Sequence, residues 1–302
     1  MIAWLPRFAC PECGEALEGR APQELVCGAC GGRYSERDGI WDFLADGRRA
    51  RLDAFVQQYR LVREREGRRP DSARYYQNLP AVESDDPHAC DWCVRRETYR
   101  HLLRHVLAAG PQPSTILDLG AGSGWLSHRL STLGHRVVAV DALDDAVDGL
   151  GAIRHYPTAI VAVRADFDAL PLVPGQFDVV VFNGSLHYSP DVATSLKRVQ
   201  SMLAAGGTVA VMDSPMFRTD RDGAAMVADK LRQFADDYGV DDAVQPGCGY
   251  LTFASLAAQA GALQMHSDFV HTRGPLRWRL QRQLNGVRLG RQPATFGLWV
   301  AR

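Results

Sequence analysis

The central part of the chain alternates short apolar runs with amphipathic stretches. The runs are rich in Val, Ile and Leu, which favours buried β-strands. The predicted strands are Thr115–Leu119, Arg136–Val140, Ala159–Arg164, Asp178–Asn183 and Thr208–Met212. Apolar residues at helical spacing indicate helices in 126–133 and 192–203. Strands alternating with helices predict an α/β fold, in which a mostly parallel, Rossmann-like sheet carries helices on both faces.

The same pattern divides the chain into three predicted parts. Residues 1–45 are rich in Cys and Gly and too few to bury a core unaided. Residues 46–112 are predicted to form a helical cap or linker, because its last part places apolar residues at i, i+3, i+4, i+7 and i+8. Residues 113–302 are predicted to form the Rossmann-like domain. It includes a helical insertion at about 215–261 and closing strands at 263–271 and 295–301.

The formal net charge is only −1, but the charges are unevenly distributed. Residues 48–69 hold eight arginines against three acids, and seven arginines follow the last acid, Asp268. Such clusters are compatible with an anionic partner such as RNA, and equally with a solvated surface. The eight arginines are Arg48, Arg49, Arg51, Arg60, Arg63, Arg65, Arg68 and Arg69.

No apolar run approaches the roughly 20 residues that a membrane span needs, and the N-terminus lacks the features of a secretory signal. We therefore expect a cytoplasmic protein without a membrane partner. The sequence leaves the oligomeric state open.

Six of the seven cysteines occur in C-x-x-C pairs. The first two pairs, Cys10/Cys13 and Cys27/Cys30, are thirteen residues apart, and two such turns can complete a tetrahedral shell of four thiolates. The spacing predicts a closed, structural Zn²⁺ site. The third pair, Cys90 and Cys93, lacks further ligands nearby apart from His88, and its role and that of Cys248 stay open.

The stretch around these cysteines, CPECGEALEG…ELVCGACGGRYSERDGIWDFL, resembles a known family. It is similar to the small zinc ribbons that accompany tRNA and rRNA methyltransferases as activating subunits. The resemblance covers residues 8–44 and implies a ribbon that is here fused to its enzyme.

A glycine-rich turn, ILDLGAGSGW, connects the first central strand to a helix over residues 116–125. Glycines let a backbone approach a ligand closely, and the helix N-terminus offers free N–H groups. Asp141 ends the next strand, where a carboxylate can accept hydrogen bonds from both hydroxyls of a ribose. A dinucleotide fingerprint would need glycine at position 125, where the chain has Trp125.

The pattern D-x-G-x-G-x-G resembles the glycine motif of class I methyltransferases instead, and FDVVVFNGSLHYSPD and LAAGGTVAVMD follow in the order typical of that family. The resemblance implies S-adenosylmethionine as cofactor. It also implies that Gly120 and Gly122 flank its amino-acid part and that Asp118 binds its amino group. The remaining implied contacts are Gly124 at the turn, Asp141 on the ribose, Asp166 and Phe167 on the adenine, and Asn183, Gly184 and Ser185 beside the sulfonium.

Methyl transfer mainly requires a nucleophile that is held close and aligned, and an oxygen or nitrogen acceptor can also need a base. His187 is the candidate base, since histidine ordinarily titrates near neutral pH, and Tyr188 lies beside it. The alternative is that His187 only lines the pocket. The candidate acceptor-binding residues in a predicted lid, 70–96, are Tyr75, Tyr76, His88 and Trp92, which could also simply pack the cap.

Three functions remain open at this stage. The leading hypothesis is a methyltransferase for a small-molecule acceptor with an oxygen or nitrogen nucleophile. The second is a methyltransferase for rRNA or tRNA, which the arginine-rich segments and the ribbon favour. The third is a non-catalytic cofactor-binding scaffold whose ribbon binds a partner, and the glycine motif and Asp141 count against it.

Overall fold

The computed structural model describes residues 4–21, 23–44, 46–67, 72–241 and 246–302. Parts of the predicted ribbon (1–3, 22 and 45), lid (70 and 71) and helical insertion (242–245), together with Arg68, Arg69 and the side chain of Arg51, lie outside the described residues.

The N-terminal strands are β1 (Leu17–Ala21), β2 (Glu24–Cys27), β3 (Arg33–Arg37) and β4 (Ile40–Asp42). The central strands are β5 (Thr115–Leu119), β6 (Arg136–Asp141), β7 (Val161–Arg164), β8 (Phe177–Asn183) and β9 (Leu203–Met212). The last strands are β10 (Met216–Phe217), β11 (Leu251–Thr252), β12 (Ser267–His271) and β13 (Gly297–Ala301).

The first four helices are α1 (Asp46–Arg65), α2 (Ala73–Asn78), α3 (Ala89–His105) and α4 (Trp125–Thr132). The others are α5 (Val192–Met202), α6 (Asp220–Tyr238), α7 (Phe253–Ala262) and α8 (Leu276–Leu289). Short 3₁₀ helices occupy Leu107–Ala109, Leu150–His155 and Leu186–Tyr188. None of the helices in the described ranges is long and apolar enough to cross a membrane.

In the described part of the chain, eleven strands form one sheet in the order β1-β2-β3-β4-β7-β6-β5-β8-β9-β13-β12. The strands from β4 to β9 pair in parallel, whereas β13 runs antiparallel to both β9 and β12. Buried Val, Leu, Ile and Phe side chains fill both faces of the central strands, as continuous apolar runs predict. The prediction of a Rossmann-like α/β fold with a mostly parallel sheet is therefore confirmed.

The N-terminal strands are part of this sheet. β4 pairs in parallel with β7, where Trp41 faces Val163. Phe8, Trp41 and Phe43 are buried and belong to the same core cluster as Leu172, on the loop before β8. The predicted boundary at residue 45 thus separates two parts that share one sheet and one core.

Helix α3 packs on α4 through Trp125, which occupies the position where a dinucleotide fingerprint would have glycine. The Trp125 ring meets Trp92 edge-on at 5.8 Å and Tyr99 at 6.1 Å between ring centroids. Trp125 is buried, and Leu102 of α3 is fully buried in the same cluster. An indole at position 125 therefore fills the space between the cap and the sheet layer.

The predicted insertion at about 215–261 is not wholly helical. It contains α6 and α7, but β10 and β11 also form a small parallel sheet, in which Met216 faces Leu251. Both strands are buried, and they are only two residues long, which is too short for a periodic sequence signal.

Candidate functional site

A cavity of about 400 Å³ lies at the carboxyl ends of β5, β6 and β8. This is where open α/β sheets bind ligands. Eight of the ten residues predicted to contact the cofactor line it: Gly120, Gly122, Asp141, Asp166, Phe167, Asn183, Gly184 and Ser185. The two others, Asp118 and Gly124, do not.

The turn after β5 requires glycine for steric reasons. Gly120 has a φ of +70°, and a Cβ there would lie 2.3 Å from the Cβ of Ser185. The Gly120 and Ala121 N–H groups both donate to the Val140 carbonyl, at 2.9 and 3.0 Å. The turn is thereby held against the ends of β6 and β8.

Asp141 connects this turn to the loop after β6. Its Oδ2 accepts from the Gly122 N–H at 2.7 Å, and its Oδ1 accepts from the Leu143 N–H at 2.8 Å. Burial raises the pKa of Asp141 to about 6, although both hydrogen bonds act in the opposite direction. Each carboxylate oxygen can accept more than one hydrogen bond, so the group can also serve a ligand in the cavity.

Asp118 lies below the cavity wall. It is fully buried in β5, where its Oδ2 accepts from the Ser127 hydroxyl at 2.7 Å. Burial raises its pKa to about 7. Its role toward the cofactor's amino group stays a prediction, and the contact that the structure gives it is with α4.

Gly124 likewise serves packing in this structure. It precedes α4 with a φ of +73°, and a Cβ there would lie 2.9 Å from Ile153. The residue that reaches the cavity from this part of the turn is Ser123.

The predicted adenine-side residues follow β7. Asp166 accepts from Arg48 at 3.2 Å and from the Asp168 N–H at 2.9 Å. The Phe167 ring meets Phe182 edge-on at 6.0 Å. Asp166 is thus engaged by α1 as well as facing the cavity.

The four aromatic residues predicted to bind the acceptor line the same cavity as the glycine turn. Trp92 Nε1 donates to the Tyr75 hydroxyl at 3.2 Å, and the Tyr76 hydroxyl donates to the Val147 carbonyl at 2.9 Å. His88 Nε2 lies 3.2 Å from the Glu66 carbonyl. Trp92 and Tyr75 are thus joined to each other, whereas Tyr76 and His88 also contact backbone carbonyls of other segments, and the assignment of the four residues to the acceptor stays a prediction.

Helix α1 forms the part of the wall that the sequence analysis missed. Phe55 and Tyr59 pack against Tyr188, with ring centroids 5.7 and 6.1 Å apart, and Arg63 contacts Asp148 at 2.8 Å. Together with Leu52, these residues recur at spacings of three to four along the helix. That spacing is the signal that could have identified this helix face.

A second cavity, of about 510 Å³, adjoins the first. Gly184 and Tyr188 line both cavities, whereas His187 lines only the second. Burial lowers the pKa of His187 to about 3, and the charges of Lys230 and Arg95 add to this. This environment disfavours the protonated imidazole, and a role for His187 as a base stays a prediction. A neutral imidazole with so low a pKa is a weak base, and its Nδ1 lies 3.2 Å from the Ser214 hydroxyl.

The four N-terminal cysteines converge on one point. Their sulfur atoms all lie within 4.8 Å of one another, with 3.6 Å between Cys10 and Cys30 and 3.4 Å between Cys13 and Cys27. The Tyr34 hydroxyl lies 3.2 Å from the Cys10 sulfur. Among the described residues this is the one cluster of three or more potential metal ligands, and Cys90 and Cys93 form no such cluster.

Residues 117–211 match the family model of a methyltransferase domain. Over 156 residues the chain is 31% identical to malonyl-[acyl-carrier protein] O-methyltransferase of Halorhodospira halophila, covering 49% of this chain and 52% of the relative. It is 33% identical to trans-aconitate 2-methyltransferase of Mycolicibacterium gilvum, covering 55% and 64%. The chain thus spans about half to two thirds of the length of these relatives.

A solved structure with similar topology is magnesium protoporphyrin IX methyltransferase from Synechocystis PCC 6803 with bound SAH, the demethylated cofactor. It superimposes with a TM-score of 0.52 at 15% identity, covering 85% of this chain and 99% of the other. At this identity the likeness concerns the fold. Residues 117–211 thus match a methyltransferase domain, and the chain shares the fold of this solved methyltransferase, which agrees with the resemblance noted in the sequence.

Proposed function

We propose that this protein transfers a methyl group from S-adenosylmethionine to an oxygen or nitrogen atom of a small molecule. The observation that carries the proposal is the convergence of the glycine turn, Asp141 and the Asn183–Ser185 segment on one cavity within the matched domain. One relative is named an O-methyltransferase, which supports an oxygen acceptor.

In this proposal the protein mainly binds the cofactor and the acceptor and orients them for transfer. Asp141 accepts hydrogen bonds from the ribose hydroxyls, and the Gly120–Gly122 turn lets the backbone approach the amino-acid part. When bound, the cofactor supplies a methyl group on a positively charged sulfur that leaves as a neutral thioether. No acid is then needed at the leaving group, so alignment of the acceptor is the chief task of the surrounding walls.

The distribution of ion pairs weighs against RNA as the acceptor. Arginines of α1 face acidic groups of the same chain: Arg48 pairs with Asp166, Arg49 with Asp42, Arg60 with Asp144, and Arg63 with Asp148. These cations already have carboxylate partners, so the first arginine-rich segment offers fewer positive charges to phosphates than its composition suggests.

Incubation with methyl-labelled S-adenosylmethionine and a fractionated cell extract tests the proposal. We expect label in small metabolites, and calorimetry should show binding of SAH but not of NAD. Label confined to RNA would favour the alternative acceptor. Binding of NAD without SAH would contradict the cofactor assignment itself.

We further propose that Cys10, Cys13, Cys27 and Cys30 hold a structural Zn²⁺. A tetrahedral shell with Zn–S bonds of about 2.3 Å places sulfurs about 3.8 Å apart. The sulfur separations of 3.4 Å between Cys13 and Cys27 and 3.6 Å between Cys10 and Cys30 fit that geometry. The Tyr34 hydroxyl can donate to the Cys10 thiolate, which is the kind of outer contact that orients metal ligands.

A further inference from the structure

The second cavity has no role in the cofactor site described above. It shares Tyr59, Arg63, Arg95, Gly184 and Tyr188 with the first cavity, so the two spaces meet at the carboxyl end of β8. Its volume of about 510 Å³ is within the range of pockets that enclose small organic ligands.

One wall of this cavity presents a partly buried guanidinium. Arg282 of α8 lies over the Trp278 ring at 4.4 Å and over the Phe296 ring at 4.9 Å, and it donates to the Ala294 carbonyl. Among the described residues no carboxylate lies within ion-pair distance of it. Burial lowers its pKa to about 10, with Asp91 acting in the opposite direction. A partly buried guanidinium that donates to one carbonyl has remaining donors with which it can pair with an anion in the cavity.

Another wall presents a buried carboxylate. Asp213 directly follows β9 in a left-handed conformation, with a φ of +55°. Within the described ranges neither of its oxygens has a hydrogen-bond partner at ordinary distance. Burial raises the pKa of Asp213 to about 6, and the Arg95 charge and the nearby Thr98 hydroxyl act in the opposite direction. Buried polar groups without partners are rare, so each needs an explanation. A ligand with a hydroxyl or amine would supply the missing donor.

Asp213 lies beside the passage between the two cavities. The Gly184 N–H donates to the carbonyl of the preceding residue, Met212, at 2.7 Å. A Cβ on Gly184 would lie 3.6 Å from the Asp213 carbonyl. The Asp213 backbone thus lies next to Gly184, which the family resemblance puts beside the sulfonium, and both residues line the second cavity.

Two other cations add positive charge to the second cavity. Lys230 lies over the Phe234 ring and Arg95 over the Trp92 ring, each at 5.0 Å. Both lower the pKa of the buried His187, which indicates a positive potential in this space. Aromatic rings next to cations favour a planar, negatively charged ligand.

We propose that the second cavity binds the methyl acceptor, and that this acceptor is an aromatic acid. Its anionic group pairs with Arg282, and its hydroxyl or amine donates to Asp213. This inference rests on the proposed function. In the transfer, the acceptor oxygen or nitrogen forms the bond to the methyl carbon as the carbon–sulfur bond breaks and its electron pair stays on sulfur. The acceptor's proton passes to the Asp213 carboxylate and from there to water.

A ligand-observed NMR titration of protein saturated with SAH tests the inference with three probes. 3-Hydroxybenzoate carries both groups, 3-hydroxybenzamide lacks the charge, and benzoate lacks the hydroxyl. We expect 3-hydroxybenzoate to bind at least about tenfold more tightly than either other probe, because each lacks one charge-assisted hydrogen bond.

Variants assign these preferences to residues. Arg282→Gln should remove the preference for the acid over the amide. Asp213→Asn, which tolerates the left-handed backbone, should remove the preference for the hydroxyl. Arg279→Gln, an exposed arginine on the same helix, should change neither. Unchanged SAH affinity shows that each variant is folded.

Three outcomes would overturn the inference in a protein that binds SAH. They are equal affinity for the acid and the amide, no binding of the acid, and an effect of Arg282→Gln no larger than that of Arg279→Gln. A protein that fails to bind SAH would contradict the proposed function instead. The two failures are therefore distinguishable.

Discussion

The substitution Gly120→Ala is the most direct test of how the cofactor turn is built. Gly120 has a φ of +70°, and the added Cβ would lie 2.3 Å from the Ser185 Cβ and 2.8 Å from its Oγ. Ser185 has little freedom to move, since it is buried and its hydroxyl donates to the Leu119 carbonyl. The change therefore combines backbone strain with a steric clash.

The two contributions can be given separate magnitudes. A left-handed conformation costs an L-residue about 1–2 kcal/mol. Overpacking a well-filled site typically costs about 1–3 kcal/mol. We expect Gly120→Ala to lower the free energy of unfolding by about 2–5 kcal/mol. Gly134 has a φ of +87° and no atom within 4 Å of its Cβ position. Gly134→Ala should therefore cost only the about 1–2 kcal/mol of the left-handed backbone.

Urea denaturation measures these differences, and calorimetry with SAH measures the effect on the cavity. The affinity for SAH should fall in Gly120→Ala and stay unchanged in Gly134→Ala, which is far from the cavity lining. Adding Ser185→Gly to Gly120→Ala removes the clashing atoms and should restore part of the stability. Equal losses in the two alanine variants, or no restoration by Ser185→Gly, would refute the steric explanation.

Three further predictions concern single sites. Asp141→Asn offers one oxygen to two backbone N–H groups and removes the charge, so calorimetry should show SAH binding about 10- to 100-fold weaker; native affinity would contradict the ribose role. Purified protein should contain about one Zn²⁺ per chain by metal analysis. Cys13→Ser should lower the melting temperature of the whole chain in a single transition, because β4 belongs to the main sheet. Less than about half an equivalent of zinc, or an unchanged melting temperature, would count against the zinc site. Asp118→Asn should gain stability relative to the native chain as the pH rises from 4 to 8, by up to about 4 kcal/mol. Over this range the carboxyl ionises readily in the unfolded chain, whereas its pKa of about 7 in the folded chain keeps it protonated until higher pH, so the native protein loses stability. Parallel pH profiles of the two unfolding free energies would exclude this.

The strands of the central sheet were predictable because their pattern is local. The apolar run Thr115–Leu119 coincides with β5, and Arg136–Val140 differs from β6 by one residue. Each run is buried on both faces, which leaves a continuous apolar signal. The pairing of β4 with β7 joins residues more than a hundred positions apart, and no local pattern encodes such a register.

The parts of the site that a motif fixes were predictable from the sequence. The properties that depend on the surrounding protein, such as the pKa of a side chain, were less so. The glycine turn and Asp141 lie together as the motif implies. The pKa of His187 could not be read from its residue type, because burial and two cations from distant segments lower it. Asp213 and Arg282 could not be singled out in the sequence, because their significance depends on the cavity that both line.

The arginine-rich composition of α1 has an internal explanation. Arg60 and Arg63 reach Asp144, Asp145 and Asp148, in the loop after β6. The pairs of the more exposed Arg60 contribute at most about 1 kcal/mol each, so their chief effect is to position the helix. The same helix carries Tyr59 into the walls of both cavities. Because α1 borders the cofactor cavity and the proposed acceptor cavity at once, the ion pairs that hold it also determine the shape of the space where the two would meet.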